Sequence, residues 1–451
     1  MKKTLFILRA IIISLLLSTQ IVSANAQVEG DKVLIYYKNG TTVDEYSCTD
    51  IIKIANDLNN LTVYSKTFGE DIPLETPISE VDRVVFKFMN DEYIDVDIDD
   101  IKLADANASD ATKILYAYMK YYYGKKIISS TTSHVNWNTD CAESVKNVTG
   151  KYPAITCYDF IHIPFDGTWI NYSDITPVTN WADKGGVVSL MWHFNVPMTE
   201  EAFDTKDYTS ITYDPEQTTW NMNNIYVEGT WENSWFYEQM DKVCEIILKL
   251  QDAGIVALWR PFHEASGNML NTQGWPKKAW FWWGNEGGEA YIKLWKTMKT
   301  YFESKGIHNL IWIWTGTAAT STSEADTSYY PGDDFVDIIG CDCYGFSATE
   351  LKAQYDGLSS LYPQKMITLA ECGNLTETNG STTTITESMS TISEMWNTGA
   401  KFLYFMPWSD YNYQEGNSTV NHMFPDEYWK DAMNMDDIIN MDNWRKNENQ
   451  E

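Results

Sequence analysis

The chain is expected to be an α/β protein: a (β/α)8 TIM barrel preceded by a small β-rich N-terminal module. Three observations carry that expectation. From residue 107 onward, eight short apolar runs of strand character alternate with stretches of helical period. Most of these runs end on a polar or aromatic residue, where a parallel barrel presents its functional face. The 451 residues also suffice for one barrel of roughly 250 residues or more with a smaller unit beside it.

In chain order, Lys2, Lys3 and Arg9 precede an apolar run centred on residues 11–17, followed by the small-residue site Ala24-Asn25-Ala26. Residues 1–26 are therefore read as a cleaved signal peptide, too short and wrongly flanked for a membrane span. The mature chain is expected to be exported, periplasmic or secreted, without membrane insertion. Residues 28–102 alternate in strand fashion, with Val33-Leu34-Ile35-Tyr36-Tyr37 leading into an Asn39-Gly40 hairpin turn. A weak second copy runs from Leu61-Thr62-Val63-Tyr64 to Val84-Val85-Phe86, suggesting two hairpin-like halves. The segment holds no His, no Trp and no pair of strand-end carboxylates, so no chemistry is assigned to it.

The barrel is placed at 107–440. Asp110 is the expected N-cap of a first helix over KILYAYMKYYY. The expected strands are 127–133, 154–162, 187–193, 255–261, 309–315, 336–344, 366–371 and 401–408, with helices at 235–251, 289–304, 349–361 and 384–396 among the connections. At the strand ends stand His134, His162, His193, His263-Glu264, Trp314, Tyr344, Glu371 and Trp408. The connection 194–230 is too long for a structureless loop unless it shapes a cleft.

A formal charge of −30 repels nucleic acid and anionic membranes and suits a soluble enzyme acting on a neutral polymer. Aromatic residues reach 14%, including 19 Trp and 28 Tyr, whose flat apolar faces match the C–H faces of a pyranose ring. The seven cysteines are an odd number and read mostly as buried thiols. Cys341-Asp342-Cys343 lacks the spacing of a zinc site, and the six histidines show no HExxH pattern. No metal or cofactor is expected, and the protein is expected to act as a monomer.

The chemistry rests on two glutamates. Glu264 follows IVALWRPFH and Glu371 follows MITLA, each at the end of an apolar run. A carboxyl at the end of a buried strand is costly unless it is paired or used. Two such groups across one barrel mouth have the composition of a retaining glycosidase, with an acid and a nucleophile roughly 5–5.5 Å apart. Phe262 and nearby tryptophans would keep Glu264 protonated, while Arg260 and Tyr344 would donate to Glu371. Asp342 is expected to fix a neighbouring loop or arginine.

WRPFHEASG, AWFWWG at 279–284, DCYG at 342–345 and LAECG at 369–373 closely resemble glycoside hydrolase family 26 across roughly 110–435. His263 stands where most relatives in the barrel clan carry Asn. The resemblance implies endo-β-1,4-mannanase activity on mannan, glucomannan or galactomannan, with Glu264 as acid/base and Glu371 as nucleophile. It also implies that Tyr344 bonds the nucleophile and that His193, His263 and Trp408 shape the subsite of the attacked sugar. Trp283 and Arg260 complete the expected substrate-binding set. Residues 28–102 resemble small repeat-containing modules of exported Bacteroidetes proteins. One departure is the insertion after the acid/base, where Asn268-Met269-Leu270-Asn271 and further loop precede Trp280. The same mechanism on mixed-linkage β-glucan or β-1,3-xylan, a mannobiose-releasing exo enzyme, and a non-catalytic sugar-binding barrel stay open.

Overall fold

The computed structural model describes residues 21–22, 32–39, 43–47, 51–56, 60–66, 74–87, 101–133, 137–269, 278–316, 327–379, 382–408 and 424–444. In the N-terminal region, Lys32–Tyr37 pairs antiparallel with Val43–Ser47, as the turn signal at Asn39 predicts. The two halves are not independent, because Val81–Lys87 returns to pair with the other edge of Lys32–Tyr37. A second sheet joins Ile51–Asn56, Asn60–Ser65 and Leu74–Pro77, with Ile21–Val22 on its edge. Those two residues lie within the expected leader, whose remainder is outside the described residues.

The barrel strands are β1 (Ile127–Thr132), β2 (Ile155–Asp159), β3 (Val187–Trp192), β4 (Ala257–Pro261), β5 (Leu310–Trp314), β6 (Ile338–Tyr344), β7 (Met366–Gly373) and β8 (Tyr404–Pro407). Each pairs in parallel with its neighbours, and β8 closes on β1 through Tyr404–Ile128 and Phe405–Ser129. Ile438–Ile439, which the sequence reading missed, adds in parallel beside Ile127–Ile128. Strand residues of alternate parity sort into two cores. Ile128, Cys157, Met191, Leu258, Ile313, Ile338, Met366 and Met406 form a lumen cluster, capped by Leu115 and Met119 of the helix Asp110–Tyr122. Their neighbours, such as Tyr158, Leu190, Trp259, Trp312, Ile339 and Leu369, pack outward with the surrounding helices. Strands buried on both faces read as near-continuous apolar runs, which is why all eight were legible.

Two expectations are corrected. The first helix begins at Asp110 but its N-cap is Ser109, whose hydroxyl accepts from Thr112 N at 3.2 Å. Residues 384–396 are not one helix: Leu375–Asn379 and Thr382–Glu387 form an antiparallel hairpin, and only Ile392–Asn397 is helical. The β-branched run Thr382-Thr383-Thr384-Ile385-Thr386 favours the extended form. The connection 194–230 carries structure of its own: the short antiparallel pair Val196–Pro197 and Ile211–Thr212, the helix Glu200–Thr205 and two 3₁₀ turns.

Candidate active site

The period of two decides which side chains reach the barrel mouth. On β4, Leu258 belongs to the lumen and Trp259 to the outer layer, so Arg260 points inward. The same count sends Asp342 and Tyr344 inward from Ile338, His193 inward from Met191, Asp159 inward from Cys157, and Trp408 inward from Met406.

The count fails at Glu371 on β7 and at Phe262, just before Glu264, at the end of β4. On β7, Met366 is lumenal while Ile367 and Leu369 are outer, and regular pleating would send Glu371 outward with them. The register slips by one residue against both neighbouring strands. Cys341 pairs with Leu369 but Asp342 with Glu371, and Leu369 pairs with Phe405 but Cys372 with Pro407. This bulge turns Glu371 into the lumen and returns Cys372 to the outer layer. Gly340 makes the space, since a Cβ there would stand 2.9 Å from Ala370 Cβ and 2.6 Å from Thr315 Oγ1.

On β4 the break comes from backbone conformation. Phe262 and Glu264 have φ of 48° and 50°, two of the three non-glycine residues with positive φ among the described residues. Phe262 thereby leaves the lumen and lies near-parallel to Phe194 at 6.3 Å. His263 and Glu264 are left at the mouth.

The result is a buried charge cluster. One carboxylate oxygen from each of Glu264, Asp342 and Glu371 lies within 4.8 Å of those of the other two. Arg260 donates from Nη1 to both oxygens of Asp342, at 3.3 and 3.1 Å, and from Nη2 to Glu371 Oε1. Tyr344 donates its hydroxyl to Glu371 Oε2 at 2.6 Å. Burial, then the charges of Asp342 and Glu371, hold the Glu264 carboxyl well above the ordinary range, with Arg260 opposing. Burial also pushes Asp342 up, against the pull of Arg260. One guanidinium facing three acids is met by retaining a proton, and Glu264, which receives no direct arginine bond, is its natural holder. Burial, with the Glu371 charge beside it, raises Tyr344 well above its usual value, so it remains a neutral donor.

Around this cluster lie the imidazoles. His263 Nε2 stands 3.9 Å from Glu371 Oε1. Burial, then His193 and Arg260, push His263 well below the usual imidazole range, so the ring is neutral. Asp159 accepts the backbone N–H of His193 at 3.0 Å and meets its Nδ1 at 2.5 Å. Burial pushes Asp159 up, but the charge and hydrogen bonds of His193 outweigh it and leave this acid below its ordinary value. With Nδ1 held, Nε2 is the nitrogen of His193 that remains for a ligand. The His193 ring meets His263 edge-on at 4.4 Å and Trp408 at 5.7 Å, with Tyr213 and Phe281 at 5.6 and 5.7 Å.

Of the expected residues, Arg260, His263, Glu264, Tyr344 and Glu371 converge directly, and His193 and Trp408 adjoin them. Trp283 is different: it is fully buried, stacks on Phe281 at 4.3 Å and donates its indole N–H to His263 O at 2.8 Å. It supports the site from behind and presents no face to a sugar. His162 sits against the exposed Trp169, ring centroids 4.3 Å apart, and makes no hydrogen bond to the carboxylates. His134 lies outside the described residues. Asp159 was missed, although it ends β2 as an acid after a buried run, the same signal that marked Glu371. The three carboxylates are also the one described group whose oxygens could share a cation. Arg260 already supplies compensating charge there, to Asp342 and Glu371.

A closed parallel barrel with two glutamates in mutual reach at its mouth defines the class: a barrel of the glycoside hydrolase type. The profile of glycosyl hydrolase family 26 matches residues 104–434, and the chain belongs to that family. The family 26 domain of an endo-β-mannanase/endo-β-glucanase from Prevotella bryantii is 49% identical, with a TM-score of 0.68, covering 77% of this chain and 99% of that one. A β-mannanase from a symbiotic protist of the termite Reticulitermes speratus, solved with a gluco-manno-oligosaccharide, is 27% identical at a TM-score of 0.55, covering 74% of this chain and 94% of that one. Mannan endo-1,4-beta-mannosidases A and B of Piromyces sp are 32% and 31% identical over 60% and 74% of this chain. The chain spans 42% and 53% of those two relatives.

Proposed function

We propose that the protein is a retaining endo-β-1,4-mannanase acting on mannan, glucomannan or galactomannan. The observation that carries the reading is the reach between the Glu264 and Glu371 carboxylates, within 4.8 Å. A retaining pair needs that closeness, whereas an inverting pair leaves roughly 6.5–9.5 Å for a water. Glu371, oriented by Arg260 and Tyr344, attacks the anomeric carbon. Glu264, kept protonated by burial among acids, gives its proton to the departing glycosidic oxygen. The glycosyl–enzyme ester is then hydrolysed by a water that Glu264, now a carboxylate, deprotonates. His193 and Trp408 line the sugar under attack. The mannan named in the relatives' descriptions supports the choice of polymer.

The test is hydrolysis of the three mannans, with mixed-linkage β-glucan and β-1,3-xylan as comparison polymers. Glu264→Ala and Glu371→Ala should each lose at least about a thousandfold in kcat/KM, by analogy with the loss of any essential catalytic group. Proton NMR of the first product should show the β-anomer ahead of mutarotation. Undiminished turnover in either variant, or the α-anomer first, defeats the reading. Export by a cleaved leader belongs to the same proposal, and N-terminal sequencing of the mature protein checks it at Gln27.

A further inference from the structure

The segment that presents Glu264 is strained and tied down from outside the active site. Phe262 and Glu264 both occupy the left-handed region, a strained backbone for non-glycine residues that persists only where surrounding contacts enforce it. Three carbonyls in succession are fixed. Phe262 O accepts the hydroxyl of Tyr291 at 2.9 Å, His263 O accepts the indole N–H of Trp283 at 2.8 Å, and Glu264 O accepts Gly267 N at 3.0 Å. Gly284 presses on the same turn, where a Cβ would stand 1.7 Å from Ala265 O. Ser266 adds two bonds to Gly316 O, from its amide at 3.0 Å and its hydroxyl at 2.7 Å.

Tyr291 and Trp283 come from separate helices, Gly288–Ser304 and Trp282–Asn285, and both are fully buried. Neither side chain reaches the lumen, where Arg260, Asp342, Glu371 and Tyr344 surround Glu264. Both bond the peptide units on either side of the His263 Cα, whose rotation sets where the Glu264 carboxyl lies. Among the described residues no strand or helix bond reaches these two carbonyls, so each relies on its side-chain donor, and the donor atom as well as the ring holds the turn.

We propose that Tyr291 and Trp283 are positioning residues for the acid/base, holding the left-handed turn so that Glu264 meets the leaving oxygen. The inference rests on the assignment of Glu264 as acid/base. It predicts a defect confined to proton transfer. Glycosyl transfer from an aryl β-mannobioside with an acidic phenol needs little help from an acid, whereas cleavage of mannan needs it fully.

The variants are Tyr291→Phe and Trp283→Phe, which keep a ring but remove the donor, assayed beside Glu264→Ala. Tyr291→Phe should lower kcat on mannan by about tenfold to a hundredfold, the scale of a small misplacement of a reacting group, with KM nearly unchanged. The pre-steady-state burst of dinitrophenol from a dinitrophenyl β-mannobioside should stay within about twofold of wild type. Trp283→Phe should show the same split. The alkaline limb of kcat/KM should also move to lower pH, as a relaxed turn lets water reach Glu264. Thermal unfolding of both variants separates this from a folding defect. If Tyr291→Phe and Trp283→Phe only lower Tm, or slow both substrates equally, the proposal is overturned while inactive Glu264→Ala still upholds the assignment. If Glu264→Ala itself cleaves mannan normally, the assignment falls first.

Discussion

Arg260 is the residue on which the site's electrostatics turn. It is buried to 1% exposure and is the cation bonded to Asp342 and Glu371. Removing one partner of a buried ion pair costs about 3–5 kcal/mol, because the other charge stays behind unpaired. Arg260→Met should therefore destabilise by about that amount at neutral pH in denaturant titration, and abolish turnover. Glu264 gives the opposite sign. Its folded-state pKa is raised above the unfolded value. The associated stability is fully present below the usual carboxylate range and is lost as pH rises through the raised value. Glu264→Gln should thus unfold at a higher temperature than wild type at pH 8, read from thermal melts. At pH 5, where wild type already holds the proton, the gain should shrink. Equal shifts at both pH values would remove the buried-proton account.

At the scale of elements, the bulge in β7 deserves its own test because it alone turns Glu371 inward. Gly340→Ala would drive a methyl into Ala370 and Thr315. Overpacking of this kind costs about 1–3 kcal/mol, and the shifted bulge should cost activity beyond the stability loss. Gly340→Ala with Ala370→Gly should recover part of both, read as kcat and Tm, since the second change removes the contact on the bulged strand and leaves the one with Thr315 Oγ1. Failure of the pair to outperform the single variant would separate the bulge from the glycine. The strands themselves were readable as apolar runs, and so were the two glutamates at their ends. The hairpin after β7 stands where part of a helix over 384–396 is expected, because its threonines are β-branched and favour extended backbone.

For the molecule as a whole, the barrel is sealed by the segment that precedes it. Ala104 N donates to Asp337 Oδ1 at 2.6 Å, Asp105 meets His308 Nδ1 at 2.8 Å, and Ser109 N donates to His308 O at 2.9 Å. A chain beginning at residue 101 should keep wild-type turnover and stability of the barrel transition. One beginning at residue 110 loses the Ser109 cap and a donor to buried Asp337, and should be weaker by about 2–4 kcal/mol. Matching melting curves for the two truncations would show that the link contributes nothing.

The amino-acid order by itself determined the barrel, its eight strands and the identity of the paired glutamates. Apolar period and strand-end charge are local properties that a one-dimensional reading can count. Which way Glu371 faces, the left-handed turn under Glu264, and the place of Trp283, expected among the substrate-binding residues, as a buried donor were decided only in three dimensions. Each arises where an element departs from its regular period under contacts with residues distant in the chain, and such a departure has no local signature to count.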